Sequence, residues 1–494
     1  MIRKHVIIVG AGVGGITTAI YLARKGFDVT ILEKNNFPGG RCGHFVEDGH
    51  RFDIGATLLM MPDTYKQIFS DIGRNLEDEL DLIRMEPVYK LKFHDNNELI
   101  FTTDMVKMKD QLEDIEPGSF GRFLALMKES CRTYQLSMGN IIEKNYYSPF
   151  DFFNIRNMMI LARVNAFKNH YRYACRYFKS DILRAAFTFQ NIYVGQDPFK
   201  APAVFAILPF QELTDGVWFP KGGMNRIVES LVAIALENGV KFEYGANVKQ
   251  IKTKGNRIIG VITNEDSVRE ADIVIANADL PYVYNRLLPV DGLTKKINRM
   301  EYTCSAVVFH WAMDTSFPQL EQHTVFVSEE YQRGIQAIFN NNLAFDDPCF
   351  YVHSPAKSDP SAAPDGQESL SVIVPAPHLG IIDETSAAHL TDTIREAVIN
   401  RMKKEGMSDF DKHIKFEKCF TQPTWENMLN LTHGAIFGSL SHRIFQMGYF
   451  RPHNQHRKYK NLFFTGGSTH PGNGVPMSLI SAKLAAEKVI RFFS

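Results

Sequence analysis

Between His5 and Glu33 the spacing of apolar residues changes period twice. HVIIV is a short β-branched run bounded by glycine, which predicts a buried strand. Ile16, Ile20 and Ala23 then recur at helical spacing until Gly26, and Val29 to Leu32 is a second apolar run ending at Glu33. Strand, helix, strand is the unit of a parallel sheet. The alternation resumes at residue 214. GVWFP predicts a strand, Gly222 and Gly223 a turn, RIVESLVAIALE an amphipathic helix ended by Gly239, and the following segment a strand to Val248. ADIVIAN predicts another buried strand, ending at Asn277, and runs such as CSAVVFHWAM predict strands with helices between them over residues 300 to 440. Residues 349 to 378 carry five prolines and read as a long ordered loop. The chain closes with the apolar run NLFF, a loop rich in glycine and proline, and a last helix.

The first strand and helix are joined by Gly10, Gly12 and Gly15, with Val13 and Gly14 between them. Strand, G-x-G-x-x-G, helix and then an acid at the end of the second strand is the dinucleotide fingerprint. It combines a tight turn, close approach of backbone to a pyrophosphate, and a carboxylate for ribose hydroxyls. Glu33 in that place, with Lys34 beside it, favours an unphosphorylated ribose, so FAD or NAD. A nicotinamide enzyme would continue with another crossover helix. FPGGRCGHFVEDGHRFDIGATL instead supplies a second glycine-rich loop, where Gly40 and Arg41 can meet phosphate, followed by Ala56, Thr57 and Leu58. Cys42 reads as a packing residue beside that loop. At the other end, Gly472 to Met477 build a helix N-terminus, a natural place for negative charge.

Lys+Arg and Asp+Glu balance at 55 each, so no overall field recruits nucleic acid. Six scattered cysteines without a C-x-x-C pair fit a reducing compartment and argue against a structural zinc site. The opening MIRKHVIIVGAG carries the nucleotide fingerprint and reads as part of the fold, not as a signal peptide. Composition is uneven in the middle. Of the 65 residues from Tyr146 to Phe210, 16 are Phe or Tyr, about twice the 12% aromatic content of the whole chain. The same window has eight Lys or Arg against three Asp and no Glu. That pattern fits an amphipathic surface on anionic lipid, or an aromatic helical core with a solvated basic face.

The chain resembles the FAD-containing amine oxidase and carotenoid desaturase superfamily, and nearly end to end it is similar to bacterial carotenoid desaturases of the phytoene-desaturase type. GAGVGGI with Glu33, PGGRC, FDIGAT, FTFQNIYVGQDPF, GVWFPKGGM, FYVHSPAKSDPSAAPDG and THPGNGVPM carry the resemblance. It implies an α/β fold: a Rossmann-type, glutathione-reductase-like FAD-binding domain assembled from residues 1–85, 214–290 and 446–494. Inserted between these would be an aromatic-rich helical lobe (86–213) and an α+β substrate domain with an antiparallel or mixed sheet (291–445). Non-covalent FAD would be held by the glycine loops named above, by Val248 and Asn277, and by Gly467, Ser468, Gly474, Val475, Pro476 and Met477. The helix end beneath the flavin would stabilise its negative charge by about 1–2 kcal/mol.

The implied reaction is desaturation of an acyclic carotenoid end. A hydride leaves for flavin N5, and the vicinal carbon loses a proton to an unidentified acceptor. Asp151, Arg156, Gln190 and His353 are candidates for that acceptor; His470, in the flavin loop, is as suited to fixing backbone. Phytoene desaturases carry G-A-G-T-H-P-G-A-G where this chain has GGSTHPGNG. The departure points toward the branch that forms a 3,4 double bond in 1-hydroxy carotenoids. The competing readings are a phytoene- or lycopene-type desaturase, a flavin amine or porphyrinogen oxidase, and a non-catalytic isoprenoid-lipid carrier. With one dinucleotide fingerprint, the expected electron acceptor is oxygen or a membrane quinone, and the expected location is cytoplasmic, at the inner face of the membrane.

Overall fold

The computed structural model describes residues 4–94, 97–165, 167–341 and 345–493. A five-stranded sheet forms the base of the molecule, in the order Leu462–Phe464, Ile273–Ala276, His5–Val9, Asp28–Leu32 and Lys241–Glu243. All four neighbouring pairs are parallel. Its strands therefore come from the start, the middle and the end of the chain. Val6, Ile8 and Ile31 are fully buried, as strands covered on both faces require. The helix Val13–Ala23 packs against the final helix Val475–Phe493, and Thr18 Oγ1 lies 3.3 Å from Thr465 Oγ1. These contacts join the two ends of the chain.

The second layer is a seven-stranded sheet: Ile414–Phe420, Ser305–Met313, Glu368–Ala376, Phe350–His353, His323–Phe326, Tyr89–Lys92 and Glu98–Phe101. It is mixed, because His323–Phe326 runs parallel to Tyr89–Lys92. On one face Phe309, Trp311 and Val372 pack under the helix Glu384–Lys404 through Ala387, Leu390 and Ile394. The opposite face turns toward the five-stranded sheet.

Three expectations need correction. The region from residue 86 is not wholly helical, since its first strands belong to the large sheet. Tyr89, Leu91 and Phe93 alternate with Lys90 and Lys92, a period-two signal outweighed by the helical composition that follows. Residues 349 to 378 are not one loop but contain the strands Phe350–His353 and Glu368–Ala376. Three of their prolines fall in the connection, and Pro375 lies beyond the last pair made with Phe350–His353, where no N–H is needed. Finally, Trp218–Pro220 pairs with Leu82–Arg84 outside the five-stranded sheet. Val248 opens a separate antiparallel sheet of three strands.

Candidate active site

A single cavity of about 630 Å³ runs between the two sheets, within the ~300–1,000 Å³ typical of small-molecule sites. Every cofactor-binding residue expected from the sequence lines it except Gly15. That glycine serves packing: a Cβ there would lie 2.4 Å from the Gly10 carbonyl oxygen. Gly12, Gly14 and Gly466 converge on one side chain, Asn277, whose amide would sit 2.8–2.9 Å from a Cβ added at any of the three. Asn277 Nδ2 also donates to the Gly10 carbonyl at 3.2 Å. The loops of both chain ends thus close around the tip of the strand Ile273–Ala276.

At one end of the cavity the Glu33 carboxylate accepts the Ala11 N–H at 2.7 Å and the Asn35 N–H at 2.9 Å. Those bonds hold it at the tip of the second strand, where an adenosine ribose meets the fingerprint acid. Lys34 Nζ donates to the Asn427 carbonyl at 2.7 Å and to Asn430 Oδ1 at 2.9 Å, tying the cradle to the sheet domain. Cys42 is buried and its Sγ donates to the Met224 carbonyl at 3.4 Å. Burial pushes its thiol pKa up, in keeping with packing.

Arg41 is half-buried in the cavity wall and donates to the Ile436 carbonyl at 3.1 Å. Burial lowers its pKa, while the charge of Asp279 raises it. The Asp279 carboxylate accepts Ser468 Oγ at 2.7 Å and the Thr432 N–H at 3.2 Å, fixing the last glycine loop. Beneath that loop lies Arg451, 0% exposed. It donates to the carbonyls of Gly467 at 2.6 Å, Thr469 at 2.9 Å, Ser441 at 3.2 Å, and Leu440 and Gln446 at 3.4 Å. Burial, then repulsion from Arg41, depresses its pKa to about 9. One buried and one half-buried guanidinium against one carboxylate leave the loop with excess positive charge, which is costly unless an anion is bound. Val475 and Met477, in the first turn of the last helix, line the same cavity, and first-turn N–H groups have no partner within their own helix. Bare glycine backbone, buried positive charge and a helix N-terminus together fit the pyrophosphate and flavin of FAD.

Arg451 and Asp279 have no motif of their own, and only their placement reveals them. Asn473 is similar: its amide nitrogen donates to the carbonyls of Val194 and Phe437, while its Oδ1 is buried without a protein partner. His470 lines the cavity, and its Nε2 meets the Lys144 carbonyl at 3.0 Å. Burial lowers its pKa to about 3, so the ring is neutral.

The expected proton acceptors lie elsewhere. Asp151 is exposed, and its carboxylate caps the N–H groups of Tyr147 and Ser148 at 2.7 Å each. Arg156 is exposed on the helix Ile155–Arg163. Gln190 is buried outside the cavity, donating to Tyr89 Oη at 2.9 Å and Glu212 Oε2 at 3.3 Å. His353 is also buried behind the wall, stacked on His323.

Beyond the flavin end the wall becomes apolar: Ala306, Val308, Ile373 and Pro375 of the large sheet face Met60, Met138, Ile141 and Leu208. Farther out, Leu161, Phe167, Phe445 and Phe450 form the mouth.

Residues 13–490 match the family described as flavin containing amine oxidoreductase. The chain is 39% identical to a zeta-carotene-forming phytoene desaturase of Myxococcus xanthus, over 99% of this chain and 94% of the relative. It is 34% identical to a 4,4'-diapophytoene desaturase of Staphylococcus aureus, over 98% of each. Among solved structures, an oxidoreductase of Methanosarcina mazei shares the fold with a TM-score of 0.66 at 14% identity, covering 98% of this chain and 100% of that one. With the nucleotide cradle opening into an apolar tunnel, these likenesses place the chain in the flavin-containing amine oxidoreductase family, among the FAD-dependent carotenoid desaturases of the phytoene-desaturase type.

Proposed function

We propose that this desaturase takes an acyclic carotenoid from a membrane through the aromatic mouth and forms a C=C bond at the end of the tunnel nearest the last glycine loop. The observation that carries this reading is the continuity of one cavity from Glu33, past Gly467, to Phe167. FAD, when bound, supplies the two-electron oxidant. The chain's own residues align the reacting carbons and exclude water, which a hydrocarbon without polar groups at the reacting carbons demands. Glu33 and Arg41 would hold the nucleotide end, and Gly467, Val475 and Met477 the flavin end.

The mouth supports delivery from lipid. Phe150 and Ile155 are each 81% exposed, Phe167 71% and Phe445 70%. Arg156 and Arg163 lie on the helix that carries Ile155. Apolar side chains with cations around an opening suit an anionic lipid surface. The aromatic segment therefore divides: Phe178 and Phe187 stack in the core with ring centres 4.8 Å apart, whereas Phe150 and Phe167 face outward. Among the described residues no helix is long and apolar enough to cross a membrane. The association we propose is peripheral, at the inner face of the cell membrane, with oxygen or a membrane quinone as the electron acceptor.

For the substrate we propose a 1-hydroxy-type carotenoid and a 3,4 double bond, supported by Gly466-Gly467-Ser468 and Asn473 in place of the usual phytoene-desaturase residues. Expression in bacteria accumulating phytoene, lycopene or a 1-hydroxy carotenoid, followed by pigment analysis, tests it. Desaturation confined to the hydroxylated pigment is the expected result. Conversion of phytoene instead would assign the enzyme to the earlier steps.

A further inference from the structure

The strand register sets two rows of side chains on the cavity-facing side of the large sheet. Val308, Ile373, Tyr351 and Val325 stand opposite one another across four strands, and all four line the cavity. Two residues along each strand, on the same face, the next row reads His310, Ser371, His353 and His323. The three histidines of this second row are 0–2% exposed, an unusual density of polar rings immediately behind an apolar wall.

The rows are connected at one point. His323 Nδ1 lies 2.7 Å from Tyr351 Oη, and Tyr351 Oη lies 3.0 Å from Thr57 Oγ1. Thr57 and Tyr351 both line the cavity, and Thr57 follows the loop that carries Arg41. Behind them His323 stacks on His353 with ring centres 5.3 Å apart and planes 8° apart, and His310 Nδ1 meets Ser371 Oγ at 3.0 Å. The Nε2 atoms of all three rings, and Oδ1 of buried Asp53, have no protein partner. Buried polar atoms are rarely left so unless they hold water or move protons. Among the described residues the row does not converge as a metal-ligand set.

Resting on the desaturase reading, we propose that Thr57, Tyr351 and His323 carry away the proton lost by the carotenoid. With FAD bound as the two-electron oxidant of the proposed reaction, one substrate carbon would lose a hydride. The vicinal C–H then gives its proton to Thr57 Oγ1 as its electron pair becomes the new π bond. At rest the Tyr351 hydroxyl donates to Thr57 Oγ1; once both hydroxyls rotate, the Thr57 hydroxyl proton moves to Tyr351 Oη, and the phenolic proton moves to His323 Nδ1. Both hydroxyls are restored, and one proton rests on the imidazole. A C–H beside a carbocation is strongly acidic, so a chain of weak bases suffices. Burial lowers the His323 pKa to about 3, which keeps the ring neutral and ready to accept, and makes its hold on the proton brief. Thr57 lines the cavity; Tyr351 continues the path; His323, outside the lining, is bonded to Tyr351.

The test uses FAD-loaded enzyme in carotenoid-bearing vesicles. Tyr351→Phe keeps the ring and removes the hydroxyl, and His323→Gln removes the acceptor. Each is expected to lower kcat by about 10²-fold or more with KM, FAD content and melting temperature unchanged. The double variant should be no slower than the worse single one. In protein labelled with 15N-histidine, Tyr351→Phe should also shift the His323 Nδ1 resonance with no substrate present. Wild-type kcat in Tyr351→Phe, or multiplying losses in the double variant, overturns the path. A wild-type enzyme that desaturates no carotenoid would instead overturn the functional reading beneath it.

Discussion

The nucleotide cradle and the tunnel mouth are lined by opposite means. At the cradle, recognition comes from missing side chains: Gly12, Gly14 and Gly466 bring backbone to within touching distance of Asn277. At the mouth it comes from surplus ones, Phe167 and Phe445, with Phe150 and Ile155 of the aromatic segment also standing in solvent. At Gly12, Gly14 and Gly466 the cradle has no room for a Cβ, because a fixed amide stands within 3 Å. The mouth tolerates many changes of shape but not loss of its apolar character. One region is specified by geometry and the other by composition, and substitutions should separate them.

The largest effect is expected at Gly12→Val, whose Cβ would fall 2.8 Å from Asn277 Nδ2 and whose branches would fill pyrophosphate space. The purified variant should be colourless, with no flavin in its absorption spectrum, yet still bind vesicles. Next is Arg451→Met, which removes a donor from five carbonyls, of which Ser441 keeps Gln446 Nε2, at about 1–3 kcal/mol for each one left unsatisfied. Scanning calorimetry should show a fall of several degrees in Tm, and the FAD retained through gel filtration should drop. At the other region, Phe150→Asp with Ile155→Asp should reduce vesicle flotation by about tenfold or more, since burying each side chain is worth about 1.5–3 kcal/mol. FAD content should not change, and loss of flavin in this variant would blur the distinction.

A pH-dependent effect away from both regions concerns Glu212, buried beside Tyr89 and Gln190 outside the cavity. Burial raises its pKa from 4.5 to about 8, partly opposed by the Tyr89 and Gln190 hydrogen bonds. A raised carboxyl pKa favours the folded state fully below the unfolded value and loses that contribution as pH rises through the folded one. Stability should therefore decline between about pH 4.5 and 8, and Glu212→Gln should flatten that slope in melting curves. An unchanged slope would mean that Glu212 is ionised in its pocket.

The same contrast governs what was legible in the amino-acid sequence. Glycines forced by close backbone approach, with Glu33 at the strand end, leave a spaced signature, and residues far apart in the chain could be assigned to one cradle. Aromatic enrichment around Tyr146 to Phe210 was equally visible, but composition could not say which rings face out. Arg451 and Asp279 bond mainly to backbone carbonyls or N–H groups and a single hydroxyl, partners that any sequence supplies. The histidine row exists only through strand register, and its strands were partly hidden by the prolines of residues 349 to 378. Asp151 resembles a catalytic base in the sequence because a local cap and an active-site carboxylate use the same residue type.

The most direct test of the account is anaerobic single turnover of the FAD-loaded enzyme in vesicles carrying an acyclic carotenoid. The account predicts that oxidised-flavin absorbance disappears as a longer-wavelength polyene spectrum grows in, one double bond for each flavin reduced. Flavin that remains oxidised with every acyclic carotenoid supplied, yet is bleached by a soluble amine, would contradict it.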